Sequence, residues 1–197
     1  MRLIALAGIR ILKNIIGLIR GIYWALTYLE YRQKYTVSKS FHFNGEGIIL
    51  YGRGQIYGGE CSYIGRASSI QSTPGTKVVI GRKCSLSHFV SIYTSNHVAD
   101  KDFSTEVRRK AGDVLIGDYC WIGIKSTILG PVVIGENTVV GSNSVVSRDL
   151  PPHAIALGIP AKVIKFKSYV SLDEQKNMAK QYSGVISDNL KTKLMVS

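Results

Sequence analysis

The sequence has few cysteines and no long uncharged apolar run, and both absences narrow the class of protein. Its three cysteines show no C-x-x-C spacing, so neither a disulfide framework nor a cysteine zinc site is indicated, and a reducing cytoplasm fits. Arg10, Lys13 and Arg20 interrupt the apolar N-terminal segment, so a membrane-spanning helix is not predicted there. That segment also has no small-residue cleavage site after a clean apolar run, which argues against a secretory signal.

Acidic side chains are also scarce. Against 25 Lys and Arg there are 13 Asp and Glu, giving a formal net charge of +12. Such an excess predicts an anionic partner: a nucleic acid, a phosphorylated small molecule or an acidic membrane surface. No basic stripe with interleaved aromatic residues and no nucleic-acid-binding motif is found, so we expect no nucleic-acid partner.

What the chain does have is an aliphatic residue at every sixth position through its C-terminal half. A six-residue period is neither the 3.6-residue period of a helix nor the alternation of a strand. It predicts a parallel β-helix in which the aliphatic residues point inward. Glycine often follows the aliphatic residue, and we expect it to relax the backbone where the chain turns. The series consists of Ile80, Leu86, Ile92 and Val98, then Ile116, Ile122, Ile128, Ile134, Val140 and Val146.

The pattern divides the chain into three parts. The β-helix is expected over 40–166, with a charged loop at 98–113 where the period is lost. A turn at Thr73–Gly75 accounts for an earlier break in phase. Leu150-Pro151-Pro152 ends the repeat, because proline cannot continue a strand ladder. Residues 167–197 are expected to form a short helix near 171–182, opened by a capping box, and then a frayed tail.

Residues 1–34 predict an amphipathic cationic helix. Its basic residues recur at three- and four-residue steps, and aliphatic residues cover the remaining surface. Trp24 and three nearby tyrosines favour a membrane–water boundary. Two interpretations stay open: the helix lies on an anionic membrane surface, or it packs on the body or between subunits.

One histidine of the four stands out by its position. No pair of histidines has metal-ligand spacing, so no metal is expected. His97 closes a hexad where the regular coil gives way to the charged loop, and can therefore face a groove beside a loop held on a rigid scaffold.

Three segments carry a resemblance to a known family. The run Ser91–His97, then Trp121-Ile122-Gly123, and then Gly158–Lys162 resemble the hexapeptide-repeat O-acetyltransferases of the galactoside, maltose and polysaccharide branch. The resemblance covers about 60–167. It implies a mainly β protein built as a left-handed parallel β-helix, a homotrimer with active sites between subunits, and acetyl-CoA as co-substrate.

The resemblance also implies roles for individual residues. His97 is the implied general base, which takes a proton from an acceptor hydroxyl. Ser95, Asn96 and Asp100 fall in the region of the acceptor or the oxyanion. Contacts with coenzyme A are implied for Gln71, Trp121, Ile124, Ser142, Ser147, Arg148, Lys162 and Lys165.

The leading hypothesis is a cytoplasmic acetyltransferase, acting on a hydroxyl of a surface-polysaccharide or lipid-linked sugar and peripheral on the inner face of a bacterial plasma membrane. Three alternatives stay open: acetylation of serine, acetylation of an amino group on a nucleotide sugar, and a non-catalytic hexapeptide scaffold. A zinc carbonic anhydrase of the same fold needs three converging histidines, and the spacing offers no such set.

Overall fold

The computed structural model describes residues 2–196 and divides the chain into two compact units, 1–34 and 35–197. The first unit is one helix, α1 (Arg2–Lys34), with no acidic residue in its first turn and Arg32 and Lys34 in its last. None of the helices described is both long and apolar enough to cross a bilayer.

The second unit is a parallel β-helix, as the six-residue period predicts. Its chain passes repeatedly through three sheets, which we name A, B and C, and sheets A and C each stack five short strands. Sheet A contains β1 (Thr36–Val37), β4 (Gln55–Gly58), β7 (Lys77–Ile80), β12 (Val114–Ile116) and β15 (Val132–Ile134). Sheet B contains β2 (His42–Asn44), β5 (Tyr63–Gly65), β8 (Ser85–Leu86), β13 (Trp121–Ile122), β16 (Val139–Val140), β18 (Ala154–Gly158) and β19 (Ala161–Phe166). Sheet C contains β3 (Ile49–Tyr51), β6 (Ser69–Gln71), β9 (Ser91–Tyr93), β14 (Thr127–Leu129) and β17 (Val145–Val146).

The aliphatic series fills the interior of this β-helix. Stacked coils are in register, so that each series residue lies against its equivalent one coil away, as in Leu86, Ile122 and Val140. Every member from Ile80 to Val146 is at most 2% exposed except Val98, which is only partly buried because the chain leaves the regular coil there. The small residues four positions later, including Cys84 and Cys120, are buried in the same interior. Hydrophobic burial along one continuous column therefore holds the coils together.

The glycines of the repeat have a different role from the one expected. None of the series glycines has a positive φ; the left-handed corner conformation is taken two residues later, by residues such as Tyr119 and Asn137. The glycines are required because the next coil lies too close for a side chain. A Cβ at Gly135, for example, would lie 2.3 Å from the backbone nitrogen of Pro152.

The C-terminal region closes the β-helix and contains two helices. The antiparallel pair β18 and β19 extends sheet B. Helix α2 (Leu172–Gln181) follows, and Ser171 and Glu174 form the expected capping box. A further helix, α3 (Asp188–Val196), lies where we expected a frayed tail. Leu190 and Leu194 are buried, and this apolar contact explains why the segment is ordered despite its weak pattern.

Candidate functional site

The charged loop is held at its base by a short β-hairpin that carries His97. Strands β10 (Ser95–His97) and β11 (Arg109–Ala111) pair antiparallel, although a loop without strands is predicted over 98–113. The N–H of Val98 donates to the carbonyl of Arg108 at 2.9 Å, which continues the pairing one residue further. His97 therefore lies on an ordered strand.

A buried threonine anchors this hairpin to the β-helix. Thr94 is fully buried, and its hydroxyl oxygen accepts hydrogen bonds from the Thr76 hydroxyl at 2.8 Å and from the Thr73 N–H at 3.0 Å. Its carbonyl accepts the N–H of Gly112 at 2.9 Å, which closes the hairpin from the other side. The predicted turn at Thr73–Gly75 is confirmed by the bond from the Thr76 N–H to the Thr73 carbonyl.

His97 lines a small open cleft. The cleft has a volume of about 260 Å³ and is lined by Gln71, Tyr93, Ser95, Asn96, His97 and Arg109. Phe103, in the loop, packs edge-on against the His97 ring with centroids 5.9 Å apart. His97 is exposed, and an imidazole that lines a cleft can take a proton from a group bound there.

The wall of the cleft continues as a ladder of outward-facing side chains on sheet C. Tyr51, Gln71 and Tyr93 occupy the same register position in successive coils. Burial raises the pKa of Tyr51, as does the neighbouring Tyr93, so the phenol stays protonated and able to donate. The Oε1 atom of Gln71 is buried and makes no hydrogen bond. Such a group is costly unless something satisfies it, which fits a residue that binds a ligand.

The other residues expected at the acceptor are placed differently. The Asn96 amide donates to the Gly130 carbonyl at 3.4 Å, which ties the hairpin to the next coil. Ser95 lines the cleft. Asp100 is exposed in the loop and does not line this cleft.

Three of the residues expected to contact coenzyme A form a separate group on sheet B and the corner that follows it. Trp121 is 55% exposed on β13, and Ile124 is 37% exposed just beyond it. Ser142 lies in the next coil, where the N–H of Asn143 bonds to the Ile124 carbonyl at 2.9 Å. Together they offer an exposed indole and a backbone-lined corner along which an extended ligand can lie.

The basic residues expected near the nucleotide lie at the C-terminal end of the β-helix. Ser147 and Arg148 are exposed, and the Arg148 guanidinium donates to the Gly184 carbonyl at 3.3 Å. Lys162 and Lys165 are exposed on β19, and Lys165 lines a cleft of about 590 Å³ between this strand and the C-terminal helices.

Within one chain these groups do not meet at a single point. His97 follows sheet C at the corner that leads to sheet A, whereas Trp121 lies on sheet B. Gln71, Ser95 and Asn96 do come together around His97.

Sequence reasoning missed two residues of the cleft, Tyr93 and Arg109. The outward position of Tyr93 could have been predicted, because Ile92 points inward and successive residues of a strand point to opposite faces. Arg109 was not, because its position depends on hairpin pairing within a loop that has no apolar period.

Comparison with known proteins agrees with this architecture. Residues 113–148 match the family model for the bacterial transferase hexapeptide (six repeats). A putative acetyltransferase of Staphylococcus aureus is 41% identical over 73 residues, which is 37% of this chain and 37% of that protein. The chain thus matches less than half the length of such curated relatives.

Solved structures extend the comparison to about three quarters of the chain. A hexapeptide-repeat acetyltransferase from Vibrio cholerae, complexed with acetyl coenzyme A, has a TM-score of 0.57 at 23% identity, covering 72% of this chain and 76% of that one. A mutant N-acyltransferase from Bacillus cereus, in complex with dTDP and coenzyme A, has a TM-score of 0.57 at 20% identity, covering 75% and 86%. At these identities the two structures establish the fold alone.

Proposed function

We propose that the chain is a hexapeptide-repeat acetyltransferase, which transfers an acetyl group from acetyl-CoA to a hydroxyl of a sugar in a surface polysaccharide or a lipid-linked glycan. The observation that carries the proposal is the exposed His97, fixed on a hairpin strand in a cleft with polar walls. The relatives named acetyltransferases, and the Vibrio cholerae structure with its bound acetyl coenzyme A, support the choice of donor.

The proposed reaction is a direct transfer. The His97 imidazole takes the proton of the acceptor hydroxyl as the oxygen attacks the thioester carbonyl. The tetrahedral oxyanion needs a hydrogen-bond donor, for which backbone N–H groups of the adjacent coil are suited. Collapse expels the coenzyme A thiolate, the imidazolium returns its proton to the sulfur, and the products are an acetyl ester and free coenzyme A.

Coenzyme A would lie along Trp121, Ile124 and Ser142, with its phosphates toward Ser147, Arg148, Lys162 and Lys165. Since Trp121 and His97 lie on different sheets, the proposal requires a second copy to bring a Trp121 face to a His97 cleft. A homotrimer provides three such equivalent sites. Mixing inactive His97→Ala and Trp121→Ala chains, through unfolding and reassembly, should restore part of the activity; no recovery would contradict a shared site.

The bond formed in the labelled product shows whether the acceptor is a hydroxyl or an amino group. Purified protein is incubated with radiolabelled acetyl-CoA and glycans from the source organism, and the labelled product is treated with hydroxylamine. An ester releases its label, as expected for transfer to oxygen, whereas an amide keeps it. A stable product would favour the amino-sugar alternative, and failure to bind acetyl-CoA would favour the non-catalytic scaffold.

We further propose that α1 binds an anionic membrane surface. Ile11, Ile15, Leu18 and Ile22 share one face of the helix, and each is at least 49% exposed. Lys13 and Arg20 project from the opposite face and Arg10 from the side of the helix, so the apolar face has positive charge beside it and across from it. That combination is typical of helices lying in the plane of a bilayer interface.

The membrane proposal has a matched test in the full chain. Replacing Ile15 and Leu18 with Asn should abolish sedimentation with vesicles containing phosphatidylserine, while acetyl transfer to a soluble acceptor is unchanged. The control Asn14→Ser replaces one polar residue with another between the two faces and should sediment as wild type. If the Ile15 and Leu18 replacements instead dissociate the oligomer, the helix packs between subunits and the membrane proposal is wrong.

A further inference from the structure

The arginine directly opposite His97 on the hairpin has no role in the proposed transfer reaction. In the β10–β11 ladder, His97 is the register partner of Arg109, and Asn96 is that of Lys110. Directly opposed residues of an antiparallel pair project from the same face. The side chains of Arg109 and His97 therefore emerge side by side into the cleft, while Lys110 points to the other face.

Asp102 and Glu106, two acidic residues of the loop, have other partners, which leaves the Arg109 guanidinium available to bind a ligand. In the loop, Glu106 is engaged by Arg108 at 3.0 Å, and Asp102 accepts hydrogen bonds from the N–H and hydroxyl of Ser104. None of the residues lining the cleft is acidic. Across residues 2–196, no carboxylate forms an ion pair with Arg109. The cleft beside the general base is thus cationic.

We propose that Arg109 is an anion-binding subsite for the acceptor, so that the sugar accepting the acetyl group carries a phosphate or a carboxylate. This inference rests on the proposed function and narrows its substrate class. A guanidinium presents paired N–H donors that match the oxygens of both anions. Held by Arg109, such an anion places the rest of the sugar, with its hydroxyls, against the adjacent imidazole.

The size and walls of the cleft agree with this substrate class. A volume of about 260 Å³ lies just below the usual range for ligand pockets, which starts near 300 Å³. One sugar residue with its anionic group suits such a space. Gln71 and Ser95 supply polar groups for the hydroxyls.

Protection of His97 from chemical modification measures occupancy without requiring turnover. The full chain is treated with diethyl pyrocarbonate, modification of His97 is followed by peptide mass spectrometry, and His42 serves as the internal reference. The probes are inorganic phosphate, glucuronate and neutral methyl glucoside. The variants are Arg109→Gln, Arg109→Lys as a charge-retaining replacement, and Lys110→Gln as the matched control on the other face.

We expect phosphate or glucuronate to protect His97 in wild type and in Lys110→Gln, at concentrations within about twofold of each other. Loss of a charged hydrogen bond typically costs enough to weaken binding about tenfold or more, so Arg109→Gln should need at least that much more anion. Arg109→Lys should recover part of the protection. Protection by phosphate alone identifies a phosphorylated sugar, and protection by glucuronate identifies a uronic acid.

Three results would overturn the inference. Equal protection of wild type and Arg109→Gln by the anions would show that Arg109 does not bind them, and absence of protection in wild type would show that no anion enters the cleft. A raised Kd for acetyl-CoA in Arg109→Gln, with anion protection unchanged, would assign the arginine to the donor. If anions bind through Arg109 but no acetyl transfer occurs with any acceptor, the subsite stands and the proposed transfer fails.

Discussion

A single added methyl group at Gly123 should separate two coils of the β-helix. Its Cβ would lie 2.5 Å from the backbone nitrogen of Ser142 and 2.8 Å from the Val140 carbonyl oxygen. Ordinary contact begins at 3.4 Å, so the shortest approach falls about 0.9 Å short, and backbone atoms cannot rotate away as a side chain can. The change also strains the hydrogen bond from the Gly123 N–H to the Val140 carbonyl, 2.8 Å in the native coil.

The expected loss of stability combines the overpacking with the strained hydrogen bond. Overpacking typically costs about 1–3 kcal/mol and a weakened hydrogen bond about 1 kcal/mol, so Gly123→Ala should destabilise by about 2–4 kcal/mol. For a chain of this size that lowers Tm by about 5–15 °C, measured by circular dichroism at one fixed protein concentration. The control is Gly17→Ala in α1, where an added Cβ meets no atom within 4 Å and should not lower Tm. A Gly123→Ala protein that melts with the wild type would refute the close-approach argument.

Further predictions concern the core, acid stability and thiol reactivity. Ile128→Ala empties a fully buried position and should cost about 2–5 kcal/mol in urea unfolding, clearly more than Ile124→Ala, whose side chain is 37% exposed. The Arg82 backbone N–H, and then its guanidinium, hold the pKa of Asp118 below its ordinary value of 3.8. The stability this supplies is complete above the unfolded pKa and is lost as pH falls through the folded pKa, so Asp118→Asn should show a shallower loss of Tm in acid below about pH 4. Native protein should expose one thiol per chain to Ellman's reagent, Cys61, because Cys84 and Cys120 are buried; three fast-reacting thiols would contradict the buried column.

The sequence was sufficient to predict the β-helix because its period is carried by every coil. Ile122 and Ile128 repeat the same environment, so each supports the same interpretation, and their burial confirms it. The role of the glycines could not be read from one coil. Gly135 has ordinary φ, and its requirement arises from Pro152 in the coil above, a contact that exists only after stacking.

The candidate site was only partly predictable, for a related reason. The break in period identified His97 and the loop, but the strand at 109–111 depends on pairing with β10 rather than on its own propensity. The position of Arg109 in the cleft therefore could not be predicted from the sequence. Helix α3 was missed because its buried leucines gain stability from packing against the β-helix end, whereas its local sequence pattern is weak.

The central claim, general-base catalysis by His97, is tested most directly by the rate of coenzyme A release from acetyl-CoA by His97→Ala with a working glycan acceptor. General-base assistance is typically worth about 10²–10⁴ in rate. We expect kcat to fall at least about 100-fold while the Kd for acetyl-CoA and the oligomeric state stay those of wild type. A His97→Ala protein that keeps most of its transfer rate would contradict the account.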